Sequence, residues 1–327
     1  MNCFISTSNR PSINIATEEY LLRNSRDNFF ILYRNTPAII VGKHQNTLAE
    51  INMQMVNELQ IPVIRRLSGG GSVYHDLGNL NFCFIVRSTK GELVNFHKYT
   101  QPIVDVLHQL DVEANFEGRN DLTIKGMKFS GNASHVFKNS VIHHGTLLFS
   151  SDLHRLNKSL KVNPLSFHHK GIRSIRSKVT NIIEHLNTQM KIEEFEQYLL
   201  NYILNTQHQA KEYDLPQKLR EEITKLARQK YETWEWNYGY SPRYNFEKII
   251  YTPGGNILEI NLAVEKGIIR EVQLLGSAHH HYGMDEFKAI LINCPHHPKN
   301  IKKRLETINL KDYFKDISLN LLIKGLF

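Results

Sequence analysis

The densest run of residues able to do chemistry is Arg65-Arg-Leu-Ser-Gly-Gly-Gly-Ser-Val-Tyr-His-Asp76. Three consecutive glycines, Gly69, Gly70 and Gly71, tolerate positive φ and let backbone N–H groups approach a ligand without a Cβ in the way. Such a nest of amides, beside Arg65, Arg66 and the Ser68 hydroxyl, suits anionic oxygens. The spacing is not that of a P-loop, and no helix with a later ribose-binding acid follows, as a dinucleotide fingerprint requires. Taken alone, the same residues would also serve as a flexible turn between strands.

A second constellation is Gly118-Arg-Asn-Asp121 followed by Lys128-Phe-Ser-Gly-Asn-Ala133. If Leu122–Ile124 and Lys128–Ser130 pair as strands, Asp121 and Lys128 meet at the sheet end. A carboxylate beside the lysine keeps the ammonium charged and oriented. A fixed ammonium can neutralise a carboxylate or phosphate in a transition state, although a surface hairpin with a routine salt bridge fits the same residues. In His143-His-Gly-Thr-Leu-Leu148, Gly145 could offer an amide and Thr146 a hydroxyl to a phosphate. Arg173, Arg176 and Lys178 could line an anionic site or form a solvated edge.

The elements that must hold these residues are mixed. Helical spacing is expected from Asn14, with Asn14 or Thr17 as its cap, over Met53–Leu59, over Val94–Leu110 and along Ile192–Tyr231. Apolar runs at Phe29–Tyr33, Ala38–Val41, Ile61–Ile64, Asn81–Val86 and His144–Phe149 read as strands. Asp121–Ile124 and Lys128–Ser130 bracket Lys125-Gly126-Met127 like a hairpin. After Trp234, strands Ile257–Val264 and Ile268–Leu275 flank the turn Glu265-Lys-Gly267, and helical or mixed segments follow. No regular βαβα rhythm is present, which favours an α+β fold. The domains expected are 1–245 and a small α+β unit at 246–327.

Composition narrows the class. The 327 residues, 41% hydrophobic and 22% charged, suit a globular chain of two domains. Forty basic against 32 acidic residues leave a net +8, which points to an anionic partner without naming it. The three cysteines, Cys3, Cys83 and Cys294, are odd in number and far apart, as in a reducing compartment. No run of 18 apolar residues and no leader-like N-terminus is seen, so a cytoplasmic protein without a membrane span is expected. The adjacent histidines at 279–281 and 296–297 read as surface or interdomain residues.

Taken in order, these segments resemble the lipoate–protein ligase A family, within the biotin and lipoate protein ligase superfamily. The resemblance runs over roughly residues 10 to 245, through Asn14…Thr17-Glu-Glu-Tyr20, Gly42-Lys-His-Gln-Asn46, Arg65–Asn79, Gly118–Asp121, Lys128–Ala133, His143–Leu148, Ser174–Asn181 and Trp236–Pro242. It implies a mixed β-sheet catalytic domain and a small C-terminal accessory domain. It also implies activation of lipoate with ATP and Mg²⁺ to lipoyl-AMP, then transfer to a lysine of acceptor lipoyl-domain proteins, with neither nucleic acid nor membrane as partner.

By the same resemblance, Lys128 contacts the lipoyl carbonyl and α-phosphate, and Asp121 orients Lys128 or helps hold Mg²⁺. Arg65 or Arg66, with Ser68 and Gly69–Gly71, surrounds the lipoyl carboxylate and phosphates. Val73, Tyr74 and Asn79 lie near the adenosine, and His75 walls the lipoyl tunnel. Asn120, His144, Gly145 and Thr146 complete the lipoate and ATP site, Thr146 on the phosphate side. The alternatives within reach are an octanoyl or lipoyl transferase, which uses a cysteine thiolate, and a non-catalytic binding protein on the same scaffold. No cysteine lies in His143–Leu148 or directly follows it, where that thiolate is expected. A rotation of the small domain is expected about a hinge near Tyr244–Thr252.

Overall fold

Pro11 opens the first helix, α1 (Pro11–Asn24), with Arg10 before it and no side-chain cap. The fixed φ of proline and its missing N–H suit the first helical position, so Asn14 and Thr17 fall inside the helix rather than capping it. Buried Asn14 instead donates to the Ser8 carbonyl at 2.8 Å and to Asn35 Oδ1 at 2.8 Å. The computed structural model describes residues 1–87, 94–160, 166–280 and 282–327. Among them the contacts separate two units. The first comprises Met1–Lys43, Met55–Leu160 and Ser174–Thr233; the second comprises His44–Gln54, Lys161–Arg173 and Trp234–Phe327, each over its described part.

The first unit contains β1 (Asn2–Ile5), β2 (Phe29–Arg34), β3 (Ala38–Val41), β4 (Val63–Arg65), β5 (Val73–His75), β6 (Asn79–Arg87), β7 (Ala114–Glu117), β8 (Asp121–Ile124), β9 (Met127–Phe137) and β10 (Ser140–Leu148). An eight-stranded sheet runs in the order Lys211–Glu212, β1, β2, β6, β10, β9, β8, β7. The two pairings of β1 are parallel and the others antiparallel. The smaller sheet, β4-β3-β5, carries the glycine-rich loop between β4 and β5. Thus Phe29–Tyr33 and Ala38–Val41 are strands as expected, but they belong to different sheets.

The alternation of β6 explains how the large sheet serves two purposes. Leu80, Phe82 and Phe84 join a fully buried core with Phe30, Ile103, Leu107, Phe195 and Leu199. Burial of each such side chain stabilises the fold by about 2 kcal/mol or more. Asn79, Asn81 and Cys83, the intervening residues, occupy the opposite face, equally buried. The β8–β9 hairpin closes on Lys125 (φ 50°) and Gly126 (φ 72°). Positive φ at both central residues marks a tight two-residue turn, and Ile124 pairs with Met127.

The second unit has an antiparallel sheet in the order Phe167–His169, Tyr244–Tyr251, Ile257–Glu265, Ile268–Gly276, with helices Met284–Leu291, Pro298–Leu305 and Leu319–Gly325. Tyr244–Tyr251 is paired along its whole length with Ile257–Val264, so it is a strand and not the expected hinge. His296 is a core residue, 1% exposed, rather than a surface one. Its Nε2 donates to the Leu326 carbonyl at 2.6 Å, so Nδ1 accepts from the Tyr244 hydroxyl at 2.7 Å. That pair ties the C-terminal turn to the sheet. His281 lies outside the described residues. Among the described residues no helix is long and apolar enough to cross a membrane.

Candidate active site

Lys128 and Asp121 come together as their spacing required. They stand on adjacent strands, and Lys128 Nζ lies 2.8 Å from Asp121 Oδ2, both side chains partly open to solvent. Gly131 makes room for the lysine: a Cβ there would stand 3.2 Å from Lys128 Nζ. The Gly131 amide in turn donates to Thr146 Oγ1 at 3.4 Å. Lys128, Asp121 and Thr146 therefore form one cluster. Asn120 braces it from the side, bonded through its own amide and carbonyl to Asn132 on β9.

The glycine-rich loop forms a second cluster, and here the two arginines do something the sequence did not reveal. Arg65 is fully buried and donates to the carbonyls of Gly42 (3.0 Å) and Lys43 (3.1 Å). Arg66, 6% exposed, donates from Nη2 to the carbonyls of Gly69 (2.6 Å) and Gly71 (2.7 Å), and from Nη1 to that of Ile40 (3.1 Å). Burial pushes its guanidinium down to about 10, which leaves it charged at neutral pH. Because a trans peptide points C=O and N–H to opposite sides, drawing the Gly69 carbonyl inward turns the Gly70 N–H outward. Gly70 sits at φ 86°, a conformation glycine adopts without strain. The arginines thus shape the loop from behind.

Ser68 and His144 join this cluster, with Ser68 Oγ 2.6 Å from His144 Nε2. His144 and Thr146 are two apart on β10 and so share a face, which links the loop cluster to the lysine cluster. A second link is the segment 174–180. Ser174 Oγ accepts from the Ser72 amide at 2.9 Å, while the Lys178 carbonyl accepts from the Lys128 amide at 2.8 Å.

Other expected residues stand further back. Val73 is half-buried, whereas Tyr74, His75 and Asn79 are buried. Asn79 donates to Asn81 Oδ1 at 2.9 Å. Burial, with Arg66 and His144 nearby, pushes His75 down to about 3. Its Nδ1 accepts from Asn35 Nδ2 at 2.9 Å. Gly145 is an internal sheet position, where a Cβ would meet Asn132 Oδ1 at 2.0 Å. It serves close packing, not an open amide. Glu18 was missed: it lies within Thr17-Glu-Glu-Tyr20, and its Oε2 is 2.7 Å from His144 Nδ1. A doublet of acids on the first turns of an apolar helix was the only available signal.

None of the three cysteines is exposed. Cys83 is fully buried, and burial together with the Glu18 carboxylate pushes its thiol well above its ordinary range. Cys3 and Cys294 are also buried, with thiols raised by burial.

The arginine-shaped glycine loop and the lysine–aspartate pair together make a polar site on the mixed sheet with the chemistry to receive anionic oxygens. The chain matches the lipoyl protein ligase A/B catalytic domain over residues 10–204 and the bacterial lipoate protein ligase C-terminus over 241–326. It belongs to the lipoate–protein ligases. It is 42% identical over 314 residues to lipoate-protein ligase LplJ of Bacillus subtilis, spanning 95% of each chain. Among solved structures it is similar to LipL1 of P. falciparum in complex with lipoate, at 25% identity, TM-score 0.62 and 94% of each chain. It is also similar to an archaeal bipartite lipoate protein ligase from Thermoplasma acidophilum, solved in work that includes its E2 lipoyl domain. That likeness has 25% identity and a TM-score of 0.63, over 73% of this chain and 96% of the other.

Proposed function

We propose that this ligase activates free lipoate with ATP to lipoyl-AMP and passes the lipoyl group to a lysine of an acceptor lipoyl-domain protein in the cytoplasm. The observation that carries the site assignment is the Lys128–Asp121 pair at 2.8 Å, linked to the glycine-rich loop through β10 and the 174–180 segment. In the first step a lipoate carboxylate oxygen bonds to the α-phosphorus and the bond to pyrophosphate breaks. In the second, the acceptor amine attacks the lipoyl carbonyl and AMP leaves. No covalent enzyme nucleophile is needed; positioning and charge neutralisation suffice.

In this reading the Lys128 ammonium lies against the carboxylate and α-phosphate, where negative charge builds in both steps. Asp121 holds that ammonium in place. The outward Gly70 amide and the Thr146 hydroxyl receive phosphate oxygens. Residues 1–245 carry the chemistry and 246–327 act as an accessory domain, a division supported by the two matched family segments.

Magnesium ordinarily keeps several waters and binds through one or two carboxylates plus substrate phosphates. Among the described residues no group of three His, Cys, Asp or Glu could hold a metal, and Asp121 Oδ2 is engaged by Lys128. This donor set fits an ion carried in by ATP, with Asp121 as its protein ligand. Such an ion would supply charge neutralisation at the phosphates.

The test is pyrophosphate release with lipoate and ATP, followed by mass spectrometry of candidate lipoyl domains. Lipoate-dependent release and a lipoyl mass increment on the acceptor lysine are expected, with Lys128→Ala losing both. Full activity in Lys128→Ala would overturn the site assignment.

A further inference from the structure

The glycine-rich loop does not stand by its own conformation. It hangs on a line of buried polar groups that begins on α1. Tyr33 donates to Glu18 Oε1 at 2.9 Å, and Glu18 Oε2 faces His144 Nδ1 at 2.7 Å. His144 Nε2 lies 2.6 Å from Ser68 Oγ, and Arg66 Nε donates to that same oxygen at 2.9 Å. Exposure along the line is 3% at Glu18, 8% at His144, 1% at Ser68 and 6% at Arg66.

With His144 neutral, donor and acceptor rules give the line one direction. A carboxylate only accepts, so His144 donates to Glu18 through Nδ1–H and keeps Nε2 as an acceptor. Ser68 then donates its hydroxyl proton to Nε2, which leaves its lone pairs for Arg66 Nε–H. The line runs from the Arg66 cation to the Glu18 anion, every bond polarised the same way, in surroundings that exclude water. With Nε held, the guanidinium plane is fixed, and Nη2 can reach the Gly69 and Gly71 carbonyls together.

We infer that Glu18 is a positioning residue for the ligase reaction: through His144 and Ser68 it sets the Arg66 guanidinium, and Arg66 sets the glycine-rich loop with its outward Gly70 amide. Glu18 touches neither lipoate nor ATP in this arrangement. The inference rests on the proposed reading of that loop as the carboxylate and phosphate cradle.

Ser68, His144 and Glu18 also have the order and spacing of a serine–histidine–acid triad. Two features separate them from one. Ser68 is 1% exposed, and its oxygen accepts from a guanidinium, which draws electron density away from it. A nucleophile needs electron density on its oxygen and a path to the carbonyl carbon. The group is arranged to hold a loop, not to attack an acyl carbon.

The experiment is a double-mutant cycle on lipoate-dependent pyrophosphate release, using full-length Glu18→Gln, Glu18→Ala, Ser68→Ala and Glu18→Ala/Ser68→Ala, with Lys128→Ala as reference. Glu18→Gln keeps an acceptor for His144 and serves where Glu18→Ala fails to fold. Loss of a preorganised amide cradle predicts a fall of about 10- to 100-fold in kcat/KM for Glu18→Ala, with Glu18→Gln restoring most of it. Because both residues act through one line, the double variant should be no worse than the poorer single one. Multiplying effects, or Glu18→Ala activity equal to wild type per folded molecule, would overturn the relay. Hydrolysis of p-nitrophenyl octanoate that disappears in Ser68→Ala would also overturn it, in favour of a nucleophilic triad. If Lys128→Ala too keeps full activity, the failure belongs to the site assignment rather than to the relay.

Discussion

Replacing His75 by Asn should flatten the acid side of the stability curve. His75 is 3% exposed, and its imidazole is held at about 3 against an ordinary 6.5 by burial first, then by Arg66 and His144. The folded chain therefore keeps it neutral down to about pH 3, while the unfolded chain takes up a proton near 6.5. With the folded value depressed below the unfolded one, this basic group's contribution is complete above pH 6.5 and is lost as pH falls towards 3. The loss is about 1.4 kcal/mol per pH unit, or about 2 kcal/mol between pH 7.5 and 5.0. Asn offers Oδ1 where the imidazole offered Nδ1, so the bond from Asn35 can persist while the titration disappears. Urea unfolding of both proteins at pH 7.5, 6.5, 5.5 and 5.0 reads the difference directly. The variant starts less stable at pH 7.5, because it is smaller, and the gap should close by about 2 kcal/mol at pH 5.0. His135, held at about 4 by burial and by Lys43 and Arg23, titrates in the same direction in both proteins and cancels in the comparison. Parallel curves across the whole range would refute the reasoning.

Three further outcomes follow from the packing. Cys83→Ser should transfer lipoyl groups at the wild-type rate, measured by mass spectrometry of the acceptor; complete loss would make the thiol an acyl carrier after all. Gly145→Ala places a Cβ 2.0 Å from Asn132 Oδ1 and 2.7 Å from Phe82 Cε1, so the strands must part. A cost of about 2–3 kcal/mol is expected, and an unchanged melting temperature would contradict it. His296→Ala removes partners of the Tyr244 hydroxyl and the Leu326 carbonyl, and should cost about 3 kcal/mol in thermal unfolding. Tyr244→Phe on the His296→Ala background should then add little.

Much of the fold was legible because periodicity and turn chemistry are local. The alternation in Asn79–Arg87 and the Lys125-Gly126 turn each declare themselves within ten residues. Lys128 and Asp121 were found because a two-residue hairpin brings near neighbours in sequence to near neighbours in space. Glu18 was not, because its partner His144 is 126 residues away and the acid doublet in α1 does not name that partner. The separate sheets of β2 and β3 were hidden for a similar reason: two buried strands around a turn read alike whether or not they pair. Asn14 and Thr17 were misread as caps because cap residues are recognised by type, whereas proline at position 11 had already settled where the helix begins.

The arginines carry the larger lesson about charge. In sequence, Arg65 and Arg66 beside three glycines invite assignment to the ligand's own anionic oxygens. In the fold both are buried and bonded to five backbone carbonyls, two of them in the loop and three in or just after β3. A guanidinium suits that task because its planar fork can hold several carbonyls in one fixed geometry, and because it stays charged even when burial lowers it to about 10. Its charge still acts at the site, but through the oriented peptide dipoles it imposes, which need no reorganisation when the transition state forms. Lys128, by contrast, is partly open and paired with a carboxylate. The net +8 is accordingly a poor guide to the chemistry. The exposed Arg176 and Lys178 sit on the same segment whose Ser174 and Thr180 bind the loop and the lysine strand. An acidic acceptor domain drawn to those side chains would meet the segment that joins the two halves of the site, so charge reversal at Arg176 and Lys178 should raise KM for the acceptor while leaving lipoate-dependent pyrophosphate release unchanged.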